Sequence, residues 1–340
     1  MKQPQSAPAV QEQPKVRKDN HPKDGTAYVA EYLNHRIQIL NSHNVKLGYI
    51  GERGHGDNQF HYPEDVALNH DDCLYVVDSG NHRVVKYDHD YKQTTQIGKH
   101  GTGEGEFSSP RSIMIDGSSG TIYISDTMNH RVQLFTPKHH FMLSLGELGS
   151  GELQFNRPHG IALDEMKNLY VADSMNHRVK VFDSSQIPIG TLGTEGFMSS
   201  QFIEPSGLYI DEADEEEDRP YQRLYVSERG NHRIQIFKII HKPRLEPQTD
   251  DELQQLLVKR RQQIQAALAG EEVEWERFVE FELLFTLGHE GTLPTEFKFP
   301  VKMCIKSLSH NVQLWVADSL NDRVQVISGR VCVHPPTSHP

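Results

Sequence analysis

Most of the chain reads as short apolar runs of about five residues, each closed by Gly, Asn, Asp or Ser. The order is plainest near the middle. After Pro158 come Gly-Ile-Ala-Leu-Asp, Asn-Leu-Tyr-Val-Ala-Asp, a polar Asn-His-Arg turn, Val-Lys-Val-Phe-Asp and a further run at 187–192. These runs are rich in β-branched and aromatic types and lack a helical period, so they predict four antiparallel strands joined by tight turns. One segment breaks the pattern. Residues 249–270 open on Thr249-Asp-Asp-Glu252, a capping box, place Leu253, Leu256, Leu257, Ile264 and Leu268 near one face, and stop at Gly270. They predict a helix of about 20 residues, with room for a shorter one after it.

Two markers keep step along the chain. Asn-His-Arg recurs at 34–36, 81–83, 129–131, 176–178 and 231–233, with the variant Asn-Asp-Arg at 321–323. Phe-x-x-Pro runs in phase with it, at Phe60 and Pro63, Phe107 and Pro110, Phe155 and Pro158, Phe202 and Pro205, and Phe297 and Pro300. The turns lie 47, 48, 47, 55 and 90 residues apart. A period in the forties carrying four short strands is that of a propeller blade, and six repeats predict an all-β, six-bladed β-propeller with a helical insertion in its fifth blade.

Each Asn-His-Arg turn joins strands two and three, so an acid ending one strand faces an arginine opening the next. The pairs are Glu31 with Arg36, Asp78 with Arg83, Asp126 with Arg131, Asp173 with Arg178, Glu228 with Arg233, and Asp318 with Arg323. The expected geometry is a bidentate, charge-assisted staple. Asn34, Asn81, Asn129, Asn176, Asn231 and Asn321 are expected to take the left-handed conformation of the turn. Six copies of one geometry are structural, which makes their histidines poor catalytic candidates.

On these residues the sequence resembles the NHL-repeat family, whose Asn-His-Leu motif reads here Asn-His-Arg-Ile or Asn-His-Arg-Val. The resemblance covers roughly 26–335 apart from two insertions, and it implies a six-bladed propeller. Members of the family include the C-terminal domains of tripartite-motif ubiquitin ligases, RNA-binding regulators and a peptide-amidating lyase. With no RING, B-box or coiled coil ahead of the repeats, ligase activity is not expected of this chain. The resemblance leaves room for an adaptor in ubiquitin-ligase or signalling assemblies.

The expected organisation is a flexible tail at 1–25, an NHL propeller over 26–335 and a short tail at 336–340. Residues 14–19 stand where the innermost strand of blade 1 would fall, and 330–334 where the outermost strand of blade 6 would. Both insertions interrupt blade 5. An acidic loop at 211–222 separates strands one and two, and a helical insertion at 241–280 separates strands three and four. In a four-stranded meander these connections leave on one face, opposite the Asn-His-Arg turns. Two readings follow. Either the helix docks on the propeller, with Lys259, Arg260 and Arg261 against loop acids such as Asp214, Glu215, Glu216 and Glu217, or helix and loop form a platform for a basic protein partner.

Composition sharpens the picture where it is uneven. The 340 residues carry a net charge of -12, and 211–219 alone hold seven acids against the single base Arg219. RNA binding on the turn face requires cations for the phosphates. The five 12-residue connections that enter first strands (51–62, 98–109, 146–157, 193–204 and 288–299) hold ten acids and four bases, which disfavours RNA. A lyase like the amidating enzyme, as the resemblance implies, would need zinc-binding histidines in repeated Pro-His-Gly-like motifs. Only Pro158-His159-Gly160 is present, and Glu64, Arg111, Ser206 and Val301 fill the matching places.

No metal, cofactor or catalytic residue is therefore expected, and the chain is not expected to be an enzyme. Glu64, Arg111, His159 and Ser206 are candidates for holding a small ligand or ion at the inner mouth, against a plain hydrogen-bonded lining. Of the 20 histidines, five belong to the turns and the others show no ligand spacing. Cys73, Cys304 and Cys332 form no CxxC pair, and neither a signal-type apolar region nor a 20-residue apolar span occurs. These readings converge on a soluble, cytoplasmic propeller that serves as a non-catalytic protein-interaction scaffold.

Overall fold

The computed structural model describes residues 26–41, 43, 45–211, 213, 220–243, 249–269, 271, 273–308, 311–321 and 323–329. The expected strands at 14–19 and 330–334, and the acids Asp214 to Glu217, lie outside them. The chain divides into two compact units, one ending at Ile97 and the other running over Gly98–Pro340.

The first unit holds blade 1 (Ala27–Glu31, Arg36–Leu40 and Lys46–Ile50) and blade 2 (Pro63–Leu68, Leu74–Asp78, Arg83–Tyr87 and Gln93–Ile97). The second holds blades 3 to 6. Blade 3 is Pro110–Ile115, Ile122–Asp126, Arg131–Phe135 and Phe141–Leu145, and blade 4 is Pro158–Leu163, Leu169–Asp173, Arg178–Phe182 and Pro188–Leu192. Blade 5 is Pro205–Ile210, Arg223–Glu228, Arg233–His241 and Val279–Leu287, and the described strands of blade 6 are Pro300–Leu308, Asn311–Asp318 and Arg323–Gly329. Within each blade neighbouring strands pair antiparallel in sequence order.

The strands alternate between two buried faces, so apolar side chains from adjacent blades interdigitate. Val179 and Val181 of blade 4 pack with Leu224 and Val226 of blade 5, and Ile234 and Ile236 of blade 5 pack with Met303 and Val316 of blade 6. The Phe of every Phe-x-x-Pro is fully buried. Its ring lies against a glycine nine residues earlier. At Gly146, where φ is +96°, a Cβ would stand 2.2 Å from the Phe155 ring, and Gly51, Gly98, Gly193 and Gly288 repeat the arrangement.

The Asn-His-Arg turns correct two expectations. First, the histidine takes the left-handed conformation, at φ 54° to 56° for His35, His82, His130 and His177, while the asparagine ends a short 3-10 turn. His130 Nδ1 accepts from the Arg157 amide of the next blade at 3.1 Å, and His35, His177 and His232 do the same for Tyr62, Glu204 and Phe299. The histidine, an αL-tolerant residue with a ring acceptor, therefore latches one blade to the next.

Second, the acid and the arginine do not meet as a bidentate pair. In blade 4, Arg178 Nε donates to Asp173 Oδ2 at 2.8 Å while its Nη2 serves the Ser150 and Gly151 carbonyls. The remaining oxygen, Asp173 Oδ1, accepts from the Asn156 amide at 2.6 Å, and Asn176 ties Asp173 to the Gly149 carbonyl. The fork is shared because the connection entering the blade leaves carbonyls that need donors. Asp78 with Arg83, Asp126 with Arg131, Glu228 with Arg233, and Asp318 with Arg323 repeat the Nε contact at 2.7 to 2.9 Å, with Asn81, Asn129, Asn231 and Asn321 on the same acids. Glu31 with Arg36 and Asn34 forms the blade 1 copy.

The insertion into blade 5 is shorter than 241–280. Strands three and four continue pairing through His241 and Val279, because Ile239 and Val279 still find apolar cover. The helix runs over Asp250–Leu268 with the complete Thr249/Glu252 capping box. Among the described residues, 271–278 form no second helix.

Candidate functional site

The four residues picked out at the inner mouth share a backbone cause. Just after its opening proline, the first strand of each of blades 2 to 6 carries a β-bulge, where the register shifts at Pro63/Asp65, Pro110/Ser112, Pro158/Ile161, Pro205/Leu208 and Pro300/Lys302. A bulge turns a side chain out of the regular alternation. Glu64, Arg111, His159, Ser206 and Val301 all sit in it. Glu64 belongs to the first unit and is half-buried.

In the second unit, Arg111 and His159 are half-buried and come from neighbouring blades. His159 Nε2 lies 3.5 Å from Nη1 of Arg229, which belongs to the blade 5 turn, and the Arg229 guanidinium covers the Phe299 ring at 4.2 Å. Lys302, from the first strand of blade 6, donates from Nζ to Ser112 Oγ of blade 3 at 2.7 Å. Burial first, and then the charges of Arg111, Arg229, Lys302 and Arg157, hold the His159 imidazole well below its ordinary range, so it is neutral at pH 7.

Ser206 has a different task. It is buried, and its Oγ lies 3.2 Å from the Pro300 carbonyl and from Ser227 Oγ, as part of the seam between blades 5 and 6. The inner strands come close here because they carry glycine. A Cβ on Gly160 would meet the Ser206 carbonyl at 2.3 Å, and one on Gly207 the Val301 carbonyl at 2.5 Å. Sequence reasoning passed over Arg229 and Lys302. Lys302 could have been found by lining up the third residue of each first strand, which reads Asp65, Ser112, Gly160, Gly207 and Lys302.

The second candidate region surrounds the blade 5 insertions. Asp211, where the acidic loop departs, accepts from the Arg223 amide and Nε and from the Tyr225 hydroxyl. The Ala213 amide reaches Glu165 Oε1 at 3.2 Å, and His241 Nε2 lies 3.6 Å from Asp164 Oδ2. Both insertions thus leave beside one hairpin of blade 4. No described residue of the helix is buried, and Leu257, Val258 and Leu268 are exposed. Lys259 pairs with Glu276 at 2.9 Å and Gln263 donates to the Glu274 carbonyl, while Arg260 is half-buried and Arg261 exposed. Among the described residues, no cluster of three His, Cys, Asp or Glu side chains has metal-site geometry, and no helix is long and apolar enough to cross a membrane.

Six sheets of this strand order define the chain as a six-bladed β-propeller, and a six-bladed β-propeller family matches residues 53–136. Within the propeller, the NHL repeat matches residues 155–182, which contain the His159 bulge and the Asp173/Arg178 staple. No protein of curated function matches the sequence.

Among solved structures, the chain is similar to an auxiliary nutrient binding protein from Bacteroides thetaiotaomicron (10% identity, TM-score 0.56, covering 91% of this chain and 67% of that one). It is also similar to a streptogramin B lyase (11% identity, TM-score 0.52, covering 90% and 76%) and to a gluconolactonase from Xanthomonas campestris (12% identity, TM-score 0.51, covering 87% and 80%). At these identities the likeness is one of fold. It nevertheless overturns the expectation that the chain is not an enzyme. That expectation rested on missing zinc histidines, which exclude one lyase design only, and propellers of this fold include a lyase and a gluconolactonase.

Proposed function

We propose that the chain is a protein-interaction propeller whose binding element is the helix inserted in blade 5. The observation that carries this reading is the open face of that helix. Asp250–Leu268 is a capped helix of 19 residues, yet Leu257 is 40% and Leu268 59% exposed. In proteins most of a helix's stability comes from packing an apolar face. The acidic run begins at Asp211, beside the root of the same insertion, so a basic partner complements the region.

The test is affinity capture on three chains: the intact protein, one in which 243–277 are replaced by a short turn, and the double variant Leu257→Asp/Leu268→Asp. Proteins retained by the first and lost by both others are expected. Equal recovery on all three overturns the reading.

A further inference from the structure

In blades 3, 4 and 5 the first strand is followed by an aspartate: Asp116, Asp164 and Asp211. Two of these carboxylates meet a permanent cation, since Asp116 accepts from Lys167 Nζ at 2.8 Å and Asp211 from Arg223 Nε at 2.8 Å. Asp164 is served differently. It is buried, and its hydrogen-bond donors among the described residues are the Asn168 amide and Nδ2, each at 2.8 Å, and the Tyr170 hydroxyl at 3.1 Å, all of them neutral. Burial first, and then Asp164 itself, push the Tyr170 hydroxyl well above its ordinary range, so it remains a donor.

The basic group beside Asp164 is His241, whose Nε2 lies 3.6 Å from Oδ2 and is buried without a hydrogen bond. Its side chain is 27% exposed, so solvent protons reach the ring. His241 shares a strand face with Ile239, which packs in the core common to blades 4 and 5. The other charged groups at this root are committed elsewhere. Lys242 pairs with Glu280, Lys238 with Glu282 and Arg223 with Asp211, and Glu165 accepts the Ala213 amide. A neutral ring at 3.6 Å makes no hydrogen bond, whereas an imidazolium beside a buried carboxylate forms a charge-assisted one at about 2.7–2.9 Å, after a movement of under about 1 Å.

We propose that His241 and Asp164 form a proton-operated clamp, which fastens the root of the blade 5 insertion to blade 4 when the imidazole is charged and releases it when the ring is neutral. The released root keeps the Phe278 amide on the Ile189 carbonyl at 2.9 Å and the packing of Ile239 and Val279. The direction is opposite to that of the turn histidines, whose neutral rings accept an amide. The clamp lies in the strands below the helix and does not depend on what the helix binds.

Hydrogen exchange of the intact chain, with no partner added, tests the inference at residues 237–243 and 277–283. Protection there is read as the ratio of the parent to His241→Gln, which cancels the effect of acid on the rest of the fold. That ratio is expected to rise about tenfold between about pH 8 and about pH 5.5, the gain from one charge-assisted bond made as a histidine titrates. Asp164→Asn, which keeps an acceptor but no charge, should abolish the rise, and circular dichroism establishes that both variants fold. A ratio that stays constant across this range, or that rises equally in the Asp164→Asn background, overturns the proposal.

Discussion

Gly146 shows how one missing side chain can organise a connection. Its φ of +96° lies where L-residues are strained, and the volume of its absent Cβ is taken by the Phe155 ring. Gly146→Ala is expected to destabilise the chain by about 2 kcal/mol or more, through backbone strain and displacement of a buried ring. Gly117→Ala, with no atom within 4 Å of the new Cβ, should stay within about 0.5 kcal/mol of the parent. Urea unfolding of the two variants measures the difference. The glycine lies nine residues before the phenylalanine in five repeats, so this partnership was open to sequence reading and went unread. The turn histidines were harder to read. Asn and His both tolerate αL, and only the 3-10 turn preceding the histidine decides which of them takes it.

At the scale of elements, what repeats was legible and what converges was not. Strand spans, the staples and the capped helix all follow from local signals recurring at fixed offsets. The approach of Arg229 to His159 and the bond from Lys302 to Ser112 do not, because bulges and blade packing must first bring distant segments together. The extra pairing at the root of the blade 5 insertion likewise depends on apolar cover supplied by blade 4. The helix above that root behaves as a separate element, tied down by Lys259 with Glu276 and Gln263 with the Glu274 carbonyl. Thr249→Ala removes its N-cap acceptor and is expected to cost about 1 kcal/mol of helix stability. Because the helix buries none of its described residues, that loss should appear as reduced helical circular dichroism while the main unfolding transition stays in place.

At the scale of the molecule, the histidine latches make the fold sensitive to acid. Burial, helped by Arg53 for His35 and Arg157 for His130, lowers both imidazoles from 6.5, and in the folded chain each Nδ1 accepts from an amide of the next blade. The unfolded chain therefore binds these protons more readily than the folded one. Their stabilising contribution is complete above about pH 6.5 and is lost as the pH falls through the lowered folded values. The urea midpoint is expected to be lower at pH 5 than at pH 7.5. His130→Asn, which tolerates αL but does not titrate, should flatten that dependence.

The hairpin that carries the blade 5 insertion bears on the order in which the chain assembles. Closing strand four onto strand three in blade 4 spans five residues, from Phe182 to Pro188, whereas in blade 5 about 37 residues intervene between His241 and Val279. The added chain entropy is about 2 kcal/mol, a term that grows only with the logarithm of the loop. The pairs from Lys238 with Glu282 to His241 with Val279, absent from the shorter blades, offset it once formed, but they contribute nothing until the ends have met. The outer strand of blade 5 is thus a slower closure than the outer strands of blades 3 and 4. Until it closes, it leaves the edge of Arg233–His241 open to pairing with another chain.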